Sequence, residues 1–295
     1  MRALVTGGSG FVGSWLRAHL EEVGDDVVAP GDEFDLHHSE TVHHEVAASG
    51  ADAVYHLAGL AHVGRSWNEP VDFFETNAIG TLHVLDAARR CRPVPRVLVV
   101  SSAEVYGTVN PDQLPLDEET PMRPVSPYAA SKAAAEMLAT QAHLGWEVPV
   151  IRARPFNHLG PGQSPTFAVP ALAGRILEAR RTGSDVLRTG NLSARRDFTD
   201  VRDVVRAYRL LVEAGEPGAV YNVCSGRDVT IEKVVTHLLA ISGSDLQIRS
   251  DPGLMRPIDV PVLRGDPSRL RAATGWAPVI PLEESLKAVL ESLKS

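Results

Sequence analysis

The sequence predicts an α/β protein built on a doubly wound parallel sheet, with a smaller α/β lid formed by its C-terminal part. Three observations carry this. Short β-branched apolar runs alternate with longer helical patterns through the first half. The first of these runs opens directly into a glycine-rich turn, Thr6-Gly7-Gly8-Ser9-Gly10-Phe11-Val12-Gly13. After about Pro155, glycine and proline become frequent and the alternation shortens. Continuous apolar strands separated by helices indicate a parallel sheet, because the crossover helices cover both of its faces.

In chain order, Arg2–Thr6 reads as the first strand and Phe11–Val23 as the first helix, apolar at Val12, Trp15, Leu16 and Leu20. Val27–Ala29 is a second strand and Ala53–Leu57 a third, followed by a long helical stretch near Val71–Ala88. Arg96–Ser101 is the fourth strand, Tyr128–Leu144 a further helix and Val148–Arg152 the fifth strand. In the second half Pro155, Gly160, Pro161, Gly162, Pro165 and Pro170 break the rhythm, and Ala219–Asn222 is a short strand candidate. No flexible linker separates the halves, so the lid is expected to share the first domain's sheet edge. The expected division is 1–154 and 155–295, partly interleaved.

Composition narrows the function classes. A chain of 295 residues with 44% hydrophobic content buries roughly 75% of its unfolded surface and needs no disulfide or structural metal to hold a core. Twenty-nine basic against 37 acidic side chains give a net charge of −8, a poor basis for general binding to nucleic acid or an anionic membrane. Two cysteines, Cys91 and Cys224, stand outside any CxxC pair, which excludes a disulfide framework or zinc ribbon and fits a reducing compartment. His143 and His158 have no metal-ligand spacing. No apolar run approaches the roughly 20 residues of a membrane span. The N-terminus runs into glycines without a signal-peptide core, so the expected location is the cytoplasm.

Gly8, Gly10 and Gly13 satisfy GxGxxG, and Gly7, Gly10 and Gly13 satisfy GxxGxxG. A tight turn, close backbone approach to a pyrophosphate and close helix–strand packing each exclude a Cβ. The following helix aims its N-terminal N–H groups at the phosphates. Placed inside a βαβ unit, the motif predicts a Rossmann-type dinucleotide site. The acid that would hold the adenine ribose is expected about 20 residues on, where the chain reads Gly31-Asp32-Glu33. Asp32 or Glu33 could take that role or be solvated loop acids, so NAD and NADP both stand.

Tyr128 and Lys132 lie four positions apart on a helical pattern, on one face and within reach of each other. An ammonium beside a phenol is expected to lower its pKa and let it exchange a proton near neutrality. Upstream, the fourth strand ends in Ser101-Ser102-Ala103-Glu104-Val105-Tyr106-Gly107. Parallel strands bring their carboxyl ends to the cofactor crevice, so Ser102 can bond a substrate oxygen beside Tyr128.

Together with His56-Leu57-Ala58-Gly59, Asn77-Ala78-Ile79-Gly80-Thr81 and Tyr-x-x-x-Lys, these motifs resemble the extended short-chain dehydrogenase/reductase family, the nucleotide-sugar epimerases, dehydratases and reductases. The likeness spans essentially the whole chain. It implies cofactor contacts from Gly7, Gly10, Phe11, Val12 and Gly13, with Asp35 and Leu36 flanking the adenine. It also implies that Leu57, Ala58, Gly59 and Pro155 line the cofactor, with Asn77, Tyr128 and Lys132 completing the set. The acid usual at the second-strand end is replaced by Gly31, a departure that leaves the cofactor choice open.

The resemblance extends to Arg154–Gln163, Arg196–Val204 and Gly218–Gly226, segments that embrace the sugar nucleotide in this family. It implies that Asn157 contacts a phosphate or sugar hydroxyl and that Arg196 and Arg256 clamp the diphosphate. The likeness is strongest to reductases of the C4 ketone in GDP-4-keto-6-deoxy-D-mannose, with Ser102 and Tyr128 on the ketone oxygen. Glu104 keeps 4,6-dehydration open, since dehydratases of the family place a base there; the dTDP-glucose type adds an aspartate where this chain has Ala103. C4 epimerisation and a non-catalytic NAD(P) sensor are the remaining alternatives. A homodimer through the helices near Val71–Ala88 and Tyr128–Leu144 is the family expectation.

Overall fold

The computed structural model describes residues 1–30, 34–255 and 258–294. Its first half contains strands β1 (Arg2–Thr6), β2 (Asp26–Val28), β3 (Ala53–His56), β4 (Arg96–Val100) and β5 (Val150–Pro155). Between them run α1 (Phe11–Glu22), α2 (Ser39–Ser49), α3 (Val63–Ser66), α4 (Pro70–Phe74), α5 (Gly80–Arg90) and α6 (Pro127–Trp146). The second half adds β6 (Asn157–Leu159), α7 (Ala168–Thr182), β7 (Val186–Thr189), β8 (Arg195–Asp200), α8 (Val201–Ala214) and β9 (Val220–Val223). It ends with β10 (Asp228–Thr230), α9 (Ile231–Ser242), β11 (Gln247–Ser250), β12 (Val262–Leu263), α10 (Ser268–Thr274) and α11 (Leu282–Ser292).

Among the described residues six strands form one sheet in the order β2-β1-β3-β4-β5-β9, parallel throughout. Successive side chains point to opposite faces, and both faces are apolar. Ala3, Val5, Tyr55 and Leu98 pack with Leu16 and Leu20 of α1 and Tyr208 and Leu211 of α8. Leu4, Val54, Val97 and Val99 pack with Val42 of α2, Val84 and Leu85 of α5 and Ala139 of α6. Because β2 and β3 flank β1 on opposite sides, the chain reverses direction there and opens a crevice above the carboxyl ends of the strands. The second half places β9 beside β5 in this sheet and builds a separate cluster from α7, α9 and α11 around Ile176, Leu238 and Leu286.

One helical stretch departs from its sequence pattern. The region expected as continuous helix near Val71–Ala88 contains a π-helical turn, Glu75–Ile79, between α4 and α5. Thr81 Oγ1 donates to the Asn77 carbonyl at 2.6 Å, an insertion of the kind that widens a helical turn. The widened turn carries Asn77 to Leu60 and Ser131.

Candidate active site

At Gly7 and Gly13 the β1–α1 turn leaves no room for a side chain. Gly7 has φ +72°, and a Cβ there would stand 2.7 Å from the Ala58 nitrogen. A Cβ on Gly13 would stand 2.0 Å from the Gly7 carbonyl oxygen. Gly10 meets just that same oxygen, at 3.2 Å, and otherwise faces open space. Gly10 is also the N-cap of α1 and offers no side-chain acceptor, so the first-turn N–H groups at Phe11, Val12 and Gly13 are available to an anion. A cradle that a Cβ at Gly7 or Gly13 would fill, ending on free N–H groups, fits a dinucleotide pyrophosphate.

The neighbouring positions divide between roles in the fold and exposure to the crevice. Leu36 is buried against Gly80. The Asp35 carboxylate accepts the His37 N–H at 2.9 Å and pairs with the His38 ring at 3.0 Å, bonds that hold its pKa below the usual carboxylate range. Leu57 and Ala58 are half-buried and Gly59 is exposed; a Cβ on Gly59 would stand 2.7 Å from Asn77 Oδ1. Pro155 closes β5 beside Val223. Gly31, Asp32, Glu33 and Arg256 lie outside the described residues.

Ser102, Glu104, Tyr128 and Lys132 come together where β4 ends and α6 begins. Ser126 caps α6 through the Ala129 N–H and Pro127 stands at its first position, which fixes the start of the helix and hence Tyr128. Ser102 caps the short 3-10 turn Ala103–Tyr106, its hydroxyl accepting the Glu104 N–H at 3.2 Å. With that lone pair used, its proton is free to turn toward the neighbouring Tyr128 hydroxyl, where it favours the phenolate.

Electrostatics at the pair differ from the sequence expectation. Burial dominates and pushes the Tyr128 phenol up to about 12; the Ser102 bond works the other way, and the Glu104 charge adds to the rise. Lys132 does not acidify the phenol. Its Nζ donates to the Val100 carbonyl at 2.6 Å, and desolvation brings the ammonium itself down to about 8. Low-dielectric surroundings penalise both charged forms, and no counter-charge offsets the penalty. The phenol is therefore held protonated.

Asn77 is buried and uses both ends of its amide. Its Oδ1 accepts the Leu60 N–H at 2.8 Å, and its Nδ2 donates to the Leu60 carbonyl at 3.0 Å and to Ser131 Oγ at 2.9 Å. Ser131 lies between Tyr128 and Lys132, so Asn77 ties the loop after β3 to α6.

His56 supports this arrangement from beneath. Thr81 Oγ1 gives its proton to the Asn77 carbonyl, so toward His56 Nε2, at 3.0 Å, it can only accept. Nε2 therefore carries the imidazole proton, and Nδ1 accepts from Thr6 Oγ1 at 2.9 Å; Thr6 Oγ1 in turn lies 3.3 Å from the Ala58 N–H it accepts. Each proton has one place, the imidazole is neutral, and burial lowers its pKa to about 3. One buried histidine thus joins the end of β1, the turn after β3 and the Asn77 turn.

The second half closes on α1. The His158 and Phe11 rings stack at 6.3 Å and 11°, and Trp15 Nε1 donates to the Pro161 carbonyl at 3.1 Å. Asn157 Oδ1 and Thr199 Oγ1, on the paired strands β6 and β8, are buried without a protein partner. Arg196 does not stand as an open clamp: its Nη2 donates to Asp259 at 2.6 Å and its Nη1 to the Val260 carbonyl at 2.7 Å. The guanidinium is buried and already neutralised, so the expectation of a free diphosphate clamp there is corrected.

Sequence reasoning singled out Ser102, Tyr128 and Lys132 and missed the groups that support them: the bonding roles of His56, Thr6, Thr81 and Ser131. One sequence signal was present. An imidazole ending the apolar run Ala53-Val54-Tyr55-His56 must find partners once buried.

Comparison with known proteins identifies the family. Residues 32–289 match the family model described as GDP-mannose 4,6 dehydratase. The GDP-6-deoxy-D-mannose reductase of Pseudomonas aeruginosa is 38% identical over 299 residues, covering 100% of this chain and 97% of that protein. The solved structure of RMD from Pseudomonas aeruginosa complexed with NADPH superposes with a TM-score of 0.91 at 37% identity, covering 100% of this chain and 99% of that one. The UDP-glucose 4-epimerase of Thermus thermophilus in complex with NAD gives a TM-score of 0.89 at 29% identity, with the same coverage of 100% and 99%. Glycine cradle, Ser102–Tyr128 pair and full-length similarity converge on one statement: the chain belongs to the GDP-mannose 4,6-dehydratase family of extended short-chain dehydrogenases/reductases.

Proposed function

We propose that the protein reduces the C4 ketone of an NDP-4-keto-6-deoxyhexose, with GDP-4-keto-6-deoxy-D-mannose as the preferred substrate and NADPH or NADH as reductant. The observation that carries the reading is the Ser102–Tyr128 hydroxyl pair, brought side by side by the end of β4 and the start of α6, with the phenol buried and held protonated. A reductase needs an acid at that point, since the ketone oxygen becomes an alkoxide and must receive a proton. Tyr128 donates that proton, and Ser102 turns its own O–H from Tyr128 to the same oxygen, stabilising the developing charge. When bound, the reduced nicotinamide supplies the hydride. Gly7, Gly10 and Gly13 would hold its pyrophosphate, and Lys132, beside the Val100 carbonyl, would hold the nicotinamide ribose and place a cation near the phenol. Asn157 is assigned to the sugar nucleotide on the strength of its unpartnered buried oxygen.

Dehydration is the second reading, favoured by Glu104, which faces Tyr128 closely enough to oppose its ionisation. Against the dTDP-glucose type stands Ala103, 1% exposed and packed with Tyr106, Leu116 and Phe156, where an aspartate would lie in an apolar cluster. The experiment is product analysis of purified protein with GDP- and dTDP-4-keto-6-deoxyhexoses plus NAD(P)H. Stoichiometric cofactor oxidation supports the reductase. Turnover of GDP-mannose or dTDP-glucose without net cofactor consumption supports the dehydratase, and tight NAD(P) binding without turnover supports a sensor.

The assembly is proposed as a homodimer. Val71, Phe74 and Ile79 around the π-helical turn and Met137 and Leu144 on α6 are exposed, an apolar surface a second copy would cover; light scattering of the purified protein reads the mass directly. Among the described residues no helix is long and apolar enough to cross a membrane. Two cysteines outside any disulfide and a nicotinamide reductant fit the cytoplasm.

A further inference from the structure

A buried ionic group lies below the site and plays no part in the chemistry just described. Arg154 of β5 and Glu136 of α6 are 4% and 0% exposed. Arg154 Nε donates to both Glu136 carboxylate oxygens at 3.1 and 3.0 Å, and its Nη2 to Oε1 at 2.6 Å. The third arm of the guanidinium, Nη1, donates to the Tyr106 hydroxyl at 2.9 Å and to the Glu118 carbonyl at 3.1 Å, while the guanidinium carbon lies 4.9 Å from the Tyr106 ring centre. Tyr106 passes its own proton to Asn222 Oδ1 at 2.7 Å.

Two features of this group point beyond stability. Glu136 follows Tyr128 and Lys132 at the same four-residue interval, so it shares their helix face. Tyr106 is the last residue of the turn that Ser102 caps. One guanidinium therefore grips the helix that carries Tyr128 and the turn that carries Ser102. Burying charges costs several kcal/mol per ion, and apolar residues of similar volume often serve stability equally well. The planar fork of arginine instead supplies fixed directions toward two elements at once.

We infer that Arg154, acting through Glu136 and Tyr106, is a positioning residue that sets the approach of Ser102 to Tyr128. The inference rests on the reductase reading above, in which those two hydroxyls act on one oxygen. A bidentate grip limits sliding of α6 along β5, and the Tyr106 bond limits tilting of the Ser102 turn. Loss of either lets the hydroxyls drift apart with the cofactor cradle untouched, because the glycine turn sits on β1 and α1.

The test is a double-mutant cycle on kcat, with GDP-4-keto-6-deoxy-D-mannose and NADPH. Arg154→Met combined with Glu136→Leu removes both charges of the pair together, while Arg152, 3.8 Å from Glu136, keeps its bonds to Thr140 Oγ1 and the Gly218 carbonyl. On the native background this variant is expected to lower kcat on the order of 30-fold, since misplacing reacting groups by about 1 Å can cost about 100-fold, with KM for NADPH changed less than about twofold. On a Ser102→Ala background, where there is no approach left to set, the same change is expected to cost less than about threefold; coupled residues show such non-additivity. Tyr106→Phe keeps the ring and the ion pair and serves where the double variant does not fold; it is expected to lower kcat with the same dependence on Ser102. Equal losses on both backgrounds, or native kcat in the replaced proteins, overturn the inference. The Ser102→Ala and Tyr128→Phe proteins test the reading beneath it separately: if neither loses activity, the reductase mechanism fails rather than the positioning role.

Discussion

The Ser102 hydroxyl faces the Tyr128 phenol across the gap between the turn after β4 and the first turn of α6. Ser102 is fixed by the Glu104 N–H it accepts, and Tyr128 by the capped start of α6. Two independent local structures thus set one contact. Ser102→Ala removes one donor to the ketone oxygen and is expected to lower kcat about 100-fold, in the range seen for loss of an oxyanion donor. Steady-state NADPH oxidation checks this, with the KM for NADPH as the internal control.

Gly13→Ala tests the cradle. Its Cβ would stand 2.0 Å from the Gly7 oxygen, so the turn must open and its N–H groups lose their common aim. NADPH affinity is expected to fall on the order of 100-fold, because the motif requires close backbone approach at this position. Fluorescence titration measures it without substrate.

Asn77→Asp keeps the shape and removes the donors to Leu60 and Ser131. Each buried partner left unsatisfied costs about 1–3 kcal/mol, so a lower melting temperature is expected together with reduced kcat. Calorimetry and kinetics on the same preparation give both values.

His56 predicts the pH dependence of stability. Its pKa is about 3 in the fold, below the ordinary value of 6.5, so the unfolded chain takes up the proton first as pH falls. Above about 6.5 this group has no effect on stability. Between about 6.5 and 3 it lowers stability by up to about 1.4 kcal/mol per pH unit. His56→Gln is expected to flatten urea-melt stability across that window, although it is less stable at pH 7. A slope unchanged from the native protein contradicts the assignment of His56 as the buried neutral group.

The glycine turn and the helix face carrying Tyr128 and Lys132 were legible in the sequence because backbone geometry dictates their residue types. Glycines at 7, 10 and 13 announce a turn that excludes Cβ atoms, and the Tyr128–Lys132 spacing announces one helix face. What stayed hidden depends on distances between elements far apart in the chain. Arg196 reads as an open clamp until Asp259 is seen beside it. The π-helical turn at Asn77 is invisible to periodicity, since one widened turn hardly disturbs an apolar pattern. Lys132 near Tyr128 suggests an acidified phenol, but burial outweighs proximity, and burial follows from packing rather than spacing.

The central claim is that Tyr128 is the acid for ketone reduction. Tyr128→Phe removes one oxygen from a buried ring that stands edge-on to Phe73 and leaves the cofactor cradle intact. The direct measurement is NADPH oxidation by this variant with GDP-4-keto-6-deoxy-D-mannose, paired with an NADPH titration. The account predicts a kcat lower by about 1,000-fold, within the range of general acid catalysis, with NADPH affinity within about twofold of the native protein; a native kcat in that variant contradicts it.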